Sequence, residues 1–329
     1  MAPPLTRRRF IGITAAAAGL SLLPCGWSGA AEAKVVTWHG QALGAPATLL
    51  IHHHDRATAE RLAERTAVEV ARLERVFSLY RDDSALAELN RIGALAAPPS
   101  DLVDLLGLCA TFRASTGGAF DPTVQPLWML YARHFQAPGA DPAGPAADRL
   151  RDTVAGVGFD KVEVSRNRIA FSRPDMALTL NGIAQGYITD RIVDLLRRGG
   201  IASSLVDMGE IRAIGARPDG APWTVGVAGS PAAPIAPDRL EIVDKAVASS
   251  SPDGFHFDAA GHFNHLLDPR TGLPSRRWRG VTVVASDAAT ADALSTAFSL
   301  MEAGPIADVK RLHGLARIRL TDGERTFTL

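Results

Sequence analysis

The sequence predicts an α+β fold: a single domain of largely antiparallel sheet with helices packed on it. Two observations lead there. Strand-like alternation dominates the chain, and the strands mostly follow one another at hairpin spacing. Helical patterns are inserted in pairs instead of alternating with single strands, so the pattern argues against a doubly wound parallel sheet. No segment repeats at the periods of solenoids or propellers. Without the first 33 residues about 300 remain, enough for one large core.

Taken in order, residues 35–38 and Ala47–His52 alternate as strands, and the second leads into a long helix over about 57–76. A short helix is expected over Ser84–Asn90, capped by Asp82 or Asp83. Asp101–Ser115 is the next helix, stopped by Gly117-Gly118. Its apolar stripe holds Cys109, which reads as a buried structural thiol. Gln136–Ala147, rich in Pro, Gly and Ala, is a surface excursion within the domain. Lys161–Val164, Arg168–Phe171 and Ala177–Leu180 alternate as half-buried strands, and a helix over Arg191–Arg198 ends at Gly199-Gly200. Strands follow at Ser203–Met208, Ile211–Gly215 and Trp223–Val227. Phe255–Phe257 and His262–Leu267 form a hairpin around Asp-Ala-Ala-Gly. Gly280–Ser286 is the last strong strand and Ala288–Met301 the last strong helix.

The N-terminus reads as an export signal. Thr6-Arg-Arg-Arg-Phe-Ile-Gly12 precedes an uncharged Ala/Leu-rich run to Leu23, and Ala31-Glu-Ala33 fits a cleavage site. The paired arginines mark the twin-arginine route, and the apolar run is too short for a membrane span of about 20 residues. The expected product is a periplasmic protein covering residues 34–329. The whole chain has 35 basic and 35 acidic residues. Residues 1–33 hold three arginines and Glu32, so 32 and 34 remain, a net charge of −2. Such a chain has no strong pull toward nucleic acid or membrane. Cys109 is then the sole cysteine, so no internal disulfide forms.

Four segments hold residues suited to chemistry. In Leu178–Asp190 a strand, the glycines Gly182 and Gly186 and a helix start place N–H groups where an anion can sit, with Asp207 about twenty residues on. A plain strand-to-helix turn explains the same residues equally well. Asp292 and Thr296 lie four apart, so both oxygens leave one helix face and suit a hard cation such as Mg²⁺. The spacing by itself favours a threonine bonded to its own helix carbonyl. In His265–Pro274, Asp268-Pro269 and Gly272 form a tight turn, Arg270 is placed to meet an anion and His265 to move a proton. In Gly117–Trp128, Phe120 offers an aromatic face and Asp121 an acceptor, while a helix stop and a bend account for the glycines and prolines. His52-His53-His54 is discounted as a metal site, because successive strand residues point to opposite faces.

In this order the segments resemble the FAD:protein FMN transferases, the ApbE-like flavin-trafficking proteins, and the resemblance covers nearly all of 34–329. Ser78–Ser84 with Asn90 is similar to the family's S-x-Y…S…N. Gly118–Leu127 is similar to G-A-F-D-x-T-x-x-P-L, and Asn181–Tyr187 with Asp190 to G-G-I-A-K-G-Y…D. His265–Gly272 is similar to H-x-x-D-P-x-T-G, and Ala291–Thr296 to A-D-A-x-x-T. The chain departs from the pattern at Asn181, at Thr179 (usually acidic), at Gln185 (usually lysine) and at Met208-Gly-Glu-Ile-Arg212 (usually G-G-D-I-R). That combination resembles the subgroup accompanying nitrous-oxide respiration.

The resemblance implies an ApbE-like, T-fold-related domain and a Mg²⁺-dependent transfer of FMN from FAD to a threonine of a target flavoprotein, with release of AMP. FAD pyrophosphatase and periplasmic flavin carrier are the alternative activities. It places the metal at Asp292, Thr296 and the Gly182 carbonyl, FAD along Tyr80, Ala119, Phe120, Asp121, Thr179, Gln185 and Leu266, and the proton acceptor at His265. The implied target is a subunit of a membrane-bound redox complex.

Overall fold

A computed structural model describes residues 20–21, 35–227, 238–323 and 325–329. After a two-residue strand at Leu20–Ser21, which pairs antiparallel with Gly226 and Val227, come β1 (Val35–Ala42), β2 (Ala45–His52), α1 (Arg56–Phe77), α2 (Ala85–Ile92), β3 (Ala94–Ala96) and α3 (Ser100–Ser115). They continue with α4 (Gln125–Gln136), α5 (Ala147–Gly156), β4 (Val162–Val164), β5 (Arg168–Phe171), α6 (Ala184–Arg198), β6 (Ser203–Asp207) and β7 (Ile211–Ile214). The last are β8 (Trp223–Val227), β9 (Asp238–Ile242), β10 (Ala246–Ser250), β11 (Gly280–Ala285), α7 (Ala288–Phe298), α8 (Ala303–His313), β12 (Arg317–Thr321) and β13 (Thr326–Thr328). The expected export signal, apart from Leu20 and Ser21, lies outside the described residues.

Strands β13-β12-β11-β10-β7-β6-β2-β1 form one eight-stranded sheet in that order, with antiparallel pairing throughout. This bears out the α+β expectation. The central strands of the sheet are buried on both faces, and the assignment of their alternate residues to two cores shows it. Ala246 and Ala248 of β10 join the large core under the helices, while Val247 joins a second core with Trp223 and Ile242 of the β8–β9 ribbon. On β11, Val281 and Val283 face the helices and Val284 the ribbon.

Two helices set the site. In α7, Ala288, Ala289, Ala291, Ala293 and Ala297 are buried, as are the charged and polar Asp292 and Ser295. A helix apolar nearly all round belongs inside a protein, and its small side chains let it lie close to β10 and α6. Its N-terminus is doubly capped. Asp287 accepts from Thr290 N at 2.8 Å, and Asp190 of α6 accepts from Ala288 N and Ala289 N at 2.8 and 2.9 Å. Arg212 pairs with the same Asp190 carboxylate at 2.5 Å.

The structure corrects several expectations. Ala177–Leu180 joins no sheet, because its backbone groups bond elsewhere. Leu178 N donates to Asn90 Oδ1 (2.7 Å), Asn90 Nδ2 donates to Leu178 O (2.8 Å), and Thr179 N donates to Pro122 O (2.8 Å). The hairpin over 255–267 shrinks to a single bridge, His256–Asn264. Asn264 is turned inward there, its amide bonded to Ser275 O and Leu266 N. Ser84, not Asp82 or Asp83, caps α2, accepting from Ala87 N. Helix α6 begins at Ala184, about two turns before the expected start. Three helices were not read from the sequence. Pro126 disguises the start of α4, where proline is tolerated in the first turn. Helix α5 has no buried residue, and α8 buries only Ile306 and Val309.

Candidate active site

Where α6, α7 and the turn after β6 converge, a cavity of about 330 Å³ opens, within the size range of small-molecule sites. Every residue to which the family resemblance assigned a role lines it: Tyr80, Ala119, Phe120, Asp121, Thr179, Gly182, Gln185, His265, Leu266, Asp292 and Thr296. They come from five separated stretches of chain, so the convergence is a property of the fold.

The acidic corner is built by close approach of α6 to α7. A Cβ on Gly186 would lie 2.3 Å from the carbonyl oxygen of Ala288, so only glycine lets the two backbones meet. Gly186 N donates to Asp292 Oδ2 at 3.0 Å. The anion at this helix N-terminus is therefore the protein's own Asp292 carboxylate, and Gly186 serves helix packing where the sequence suggested room for a ligand. Asp292 is 4% exposed. Burial raises its pKa to about 7, the Gly186 N–H opposes the rise, and the charge of Asp190 adds to it.

Thr296 stands one turn further along α7. A Cβ on Gly182 would sit 3.0 Å from Thr296 Oγ1, so the backbone of the glycine turn rests directly against the hydroxyl. The alternative of a threonine bonded back to its helix does not hold. Ser295 and Ser299 make those bonds, to Asp292 O and Ser295 O. A carboxylate, an alcohol and a main-chain carbonyl are hard oxygen donors, the set that Mg²⁺ prefers. Among the described residues no group of three His, Cys, Asp or Glu side chains is placed to hold a metal, so a thiolate or imidazole centre has no ligands here.

His265 faces the same cavity. Burial lowers its pKa to about 4, which keeps the ring neutral at pH 7. Its Nδ1 lies 3.2 Å from Phe255 O. A proton on Nδ1 satisfies that carbonyl and leaves Nε2 with its lone pair.

The opposite wall is more rigid than the sequence suggested. Asp121 accepts from Arg113 Nε, Thr123 N, Thr123 Oγ1 and Phe159 N, so its oxygens are spent within the protein. Phe120 packs edge-on against Phe112. Arg270, expected to meet an anion, folds back on Asp268 in a two-pronged pair of 2.9 and 2.7 Å. Asp207, the candidate ribose partner, accepts from Gly209 N at 3.0 Å and closes a turn. Gly272 has φ +73° and its N–H donates to Asp268 O, as the expected tight turn requires. Cys109 is fully buried, and burial pushes its thiol pKa up.

Two polar groups of the cavity are buried without a partner among the described residues: Gln185 Nε2 and Glu210 Oε2. The sequence pointed to Gln185 but not to Glu210. The signal available was Met208-Gly-Glu-Ile-Arg212, set against the family's G-G-D-I-R with its acid at the position of Glu210, while a dinucleotide template drew attention to Asp207 instead.

The chain is similar to flavin transferases in sequence and in fold. A FAD:protein FMN transferase of Haemophilus influenzae is 28% identical over 323 residues, covering 93% of this chain and 90% of the relative. One of Treponema pallidum is 31% identical over 267 residues, 71% of this chain and 73% of its own. Flavin transferase ApbE from Vibrio cholerae superposes with a TM-score of 0.76 at 25% identity, over 90% of this chain and 97% of that one. The apbe protein of Thermotoga maritima gives a TM-score of 0.78 at 25% identity, covering 89% and 96%. The ApbE family model matches residues 43–316, and the chain is a member of the ApbE family.

Proposed function

We propose that this protein transfers FMN from FAD to a threonine hydroxyl of a target flavoprotein, with Mg²⁺ bound at the acidic corner. The observation that carries the reading is the convergence on one cavity of the residues to which the family resemblance assigned roles, in a chain whose relatives are named FAD:protein FMN transferases.

The reaction forms a bond from the threonine oxygen to the flavin-side phosphorus of FAD. The phosphorus–oxygen bond to the AMP half breaks, and AMP leaves with that oxygen. Phosphoryl transfer is mostly a matter of positioning and charge. Asp292, Thr296 and the Gly182 carbonyl would hold the cation, and Gly186 N–H fixes the carboxylate that faces it. When bound, Mg²⁺ would neutralise charge on the pyrophosphate. Gln185 Nε2 donates to a phosphate oxygen, which relieves a buried donor that is otherwise unpaired. Tyr80, Thr179 and Leu266 line the path of the dinucleotide, with Ala119, Phe120 and Asp121 as a preformed wall. His265 Nε2 receives the threonine proton. Export by the twin-arginine route would place this chemistry in the periplasm, where the target is a subunit of a membrane-bound redox complex.

Incubation with FAD, Mg²⁺ and periplasmic flavoprotein candidates, read by intact mass, tests the proposal. The expected result is a gain of one FMN on a threonine of the target, with one AMP released. Release of AMP and free FMN without a modified target would identify a pyrophosphatase, and bound, intact FAD a carrier.

A further inference from the structure

We infer that Glu210 is a second carboxylate of the cation site, its Oε2 taking one place in the ligand or water shell of a divalent ion held by Asp292. The inference rests on the cation reading above. Glu210 is 1% exposed, lines the same cavity as Asp292, Thr296 and Gly182, and has one oxygen unpartnered among the described residues.

Its position is fixed from several sides. Asp207 accepts from Gly209 N and tightens the turn between β6 and β7. Gly209 adopts φ +105°, and the Gln185 amide occupies the space where a Cβ there would project. Thr189 donates to the Glu210 carbonyl at 3.0 Å and ties the turn to α6. Of the side-chain carboxyl group, one side is met by the backbone N–H of Ser249. The free oxygen is left in the cavity within electrostatic reach of Asp292.

A buried carboxylate oxygen with no donor is costly. Near a second carboxylate the cost grows, and a divalent ion between the two removes both penalties. Mg²⁺ takes six oxygens and usually keeps several waters. Asp292, Thr296 and the Gly182 carbonyl leave positions for a fourth protein contact or for a water that donates to it. Gln185 beside Glu210 then offers a donor where Glu210 offers an acceptor. The pair matches a unit in which a cation and a phosphate oxygen lie side by side.

The test uses the full chain without FAD and Mn²⁺ as a paramagnetic stand-in, with free ion measured by electron paramagnetic resonance. Glu210→Gln keeps an oxygen for the Ser249 N–H and removes the charge. The expected result is Mn²⁺ binding weakened about tenfold or more, the scale of losses around a metal's immediate ligands. Glu210→Asp should fall between Glu210→Gln and wild type, and Asp292→Asn should abolish binding. Wild-type Mn²⁺ affinity in Glu210→Gln, with binding lost in Asp292→Asn, overturns the role of Glu210 and leaves the cation site standing. Equal affinity in all the proteins overturns both. The melting temperature of metal-free Glu210→Gln checks folding, and it should not fall, because a desolvated charge has been removed.

Discussion

Gly186→Ala isolates the contact on which the acidic corner depends. An added Cβ at residue 186 would lie 2.3 Å from Ala288 O, 2.6 Å from Ala288 C and 2.8 Å from Ala289 Cα, all of them backbone atoms. An ordinary contact needs about 3.4 Å, so α6 and α7 must separate by about 1 Å, and no side chain can swing away instead. Overpacking of this kind costs about 2–3 kcal/mol. Alanine in a helix recovers about 1 kcal/mol relative to glycine, so the net loss should be about 1–2 kcal/mol. Gly107 in α3 supplies the control, since nothing lies within 4 Å of a Cβ there. Gly107→Ala should stabilise by about 0.5–1 kcal/mol. Urea unfolding of both variants, with Mn²⁺ titration of each, is the assay. Gly186→Ala should also weaken Mn²⁺ binding about tenfold, because its N–H orients Asp292 and Mg²⁺-type geometry tolerates little displacement. A Gly186→Ala protein as stable as wild type, with unchanged Mn²⁺ affinity, would refute the account of the helix contact.

Three further outcomes are expected. Burial raises the pKa of Asp190 and Asp207 to about 6 and that of Asp292 to about 7. Their contribution to folding is full below about pH 4 and is lost as pH rises through 6–7. His265, lowered to about 4, acts in the opposite sense, losing stability as pH falls from 6.5 toward 4. The metal-free protein should therefore melt higher at pH 6 than at pH 8, by about 1–2 kcal/mol, and Mg²⁺ should shrink that difference; a melting point that rises with pH contradicts the assignment. Asn90→Ala removes both bonds to the backbone of buried Leu178 and should cost about 2–3 kcal/mol, read by chemical denaturation, with a loss under 0.5 kcal/mol counting against it. His265→Ala should slow FMN transfer about 10²–10⁴-fold with FAD affinity retained, as followed by intact mass over time; an unchanged rate would remove the histidine from proton transfer.

The sequence by itself determined the class of fold and picked out residues that line one cavity. Period-two alternation marked most strands of the large sheet, and each of five short motifs contributes residues that line one cavity. Local pattern did less well wherever tertiary contacts override it. Ala177–Leu180 alternates like a strand, yet Asn90, distant in sequence, and Pro122 capture its hydrogen bonds. The 255–267 segment alternates too, but Asn264 turns inward to hold the loop. Only the tertiary structure decided what the glycine turn binds. Its N–H groups look like a cradle for an external anion, and the fold fills that place with Asp292, more than a hundred residues away. Only the fold, likewise, brings Glu210 beside Asp292, because closeness across a sheet and a helix leaves no trace in spacing along the chain.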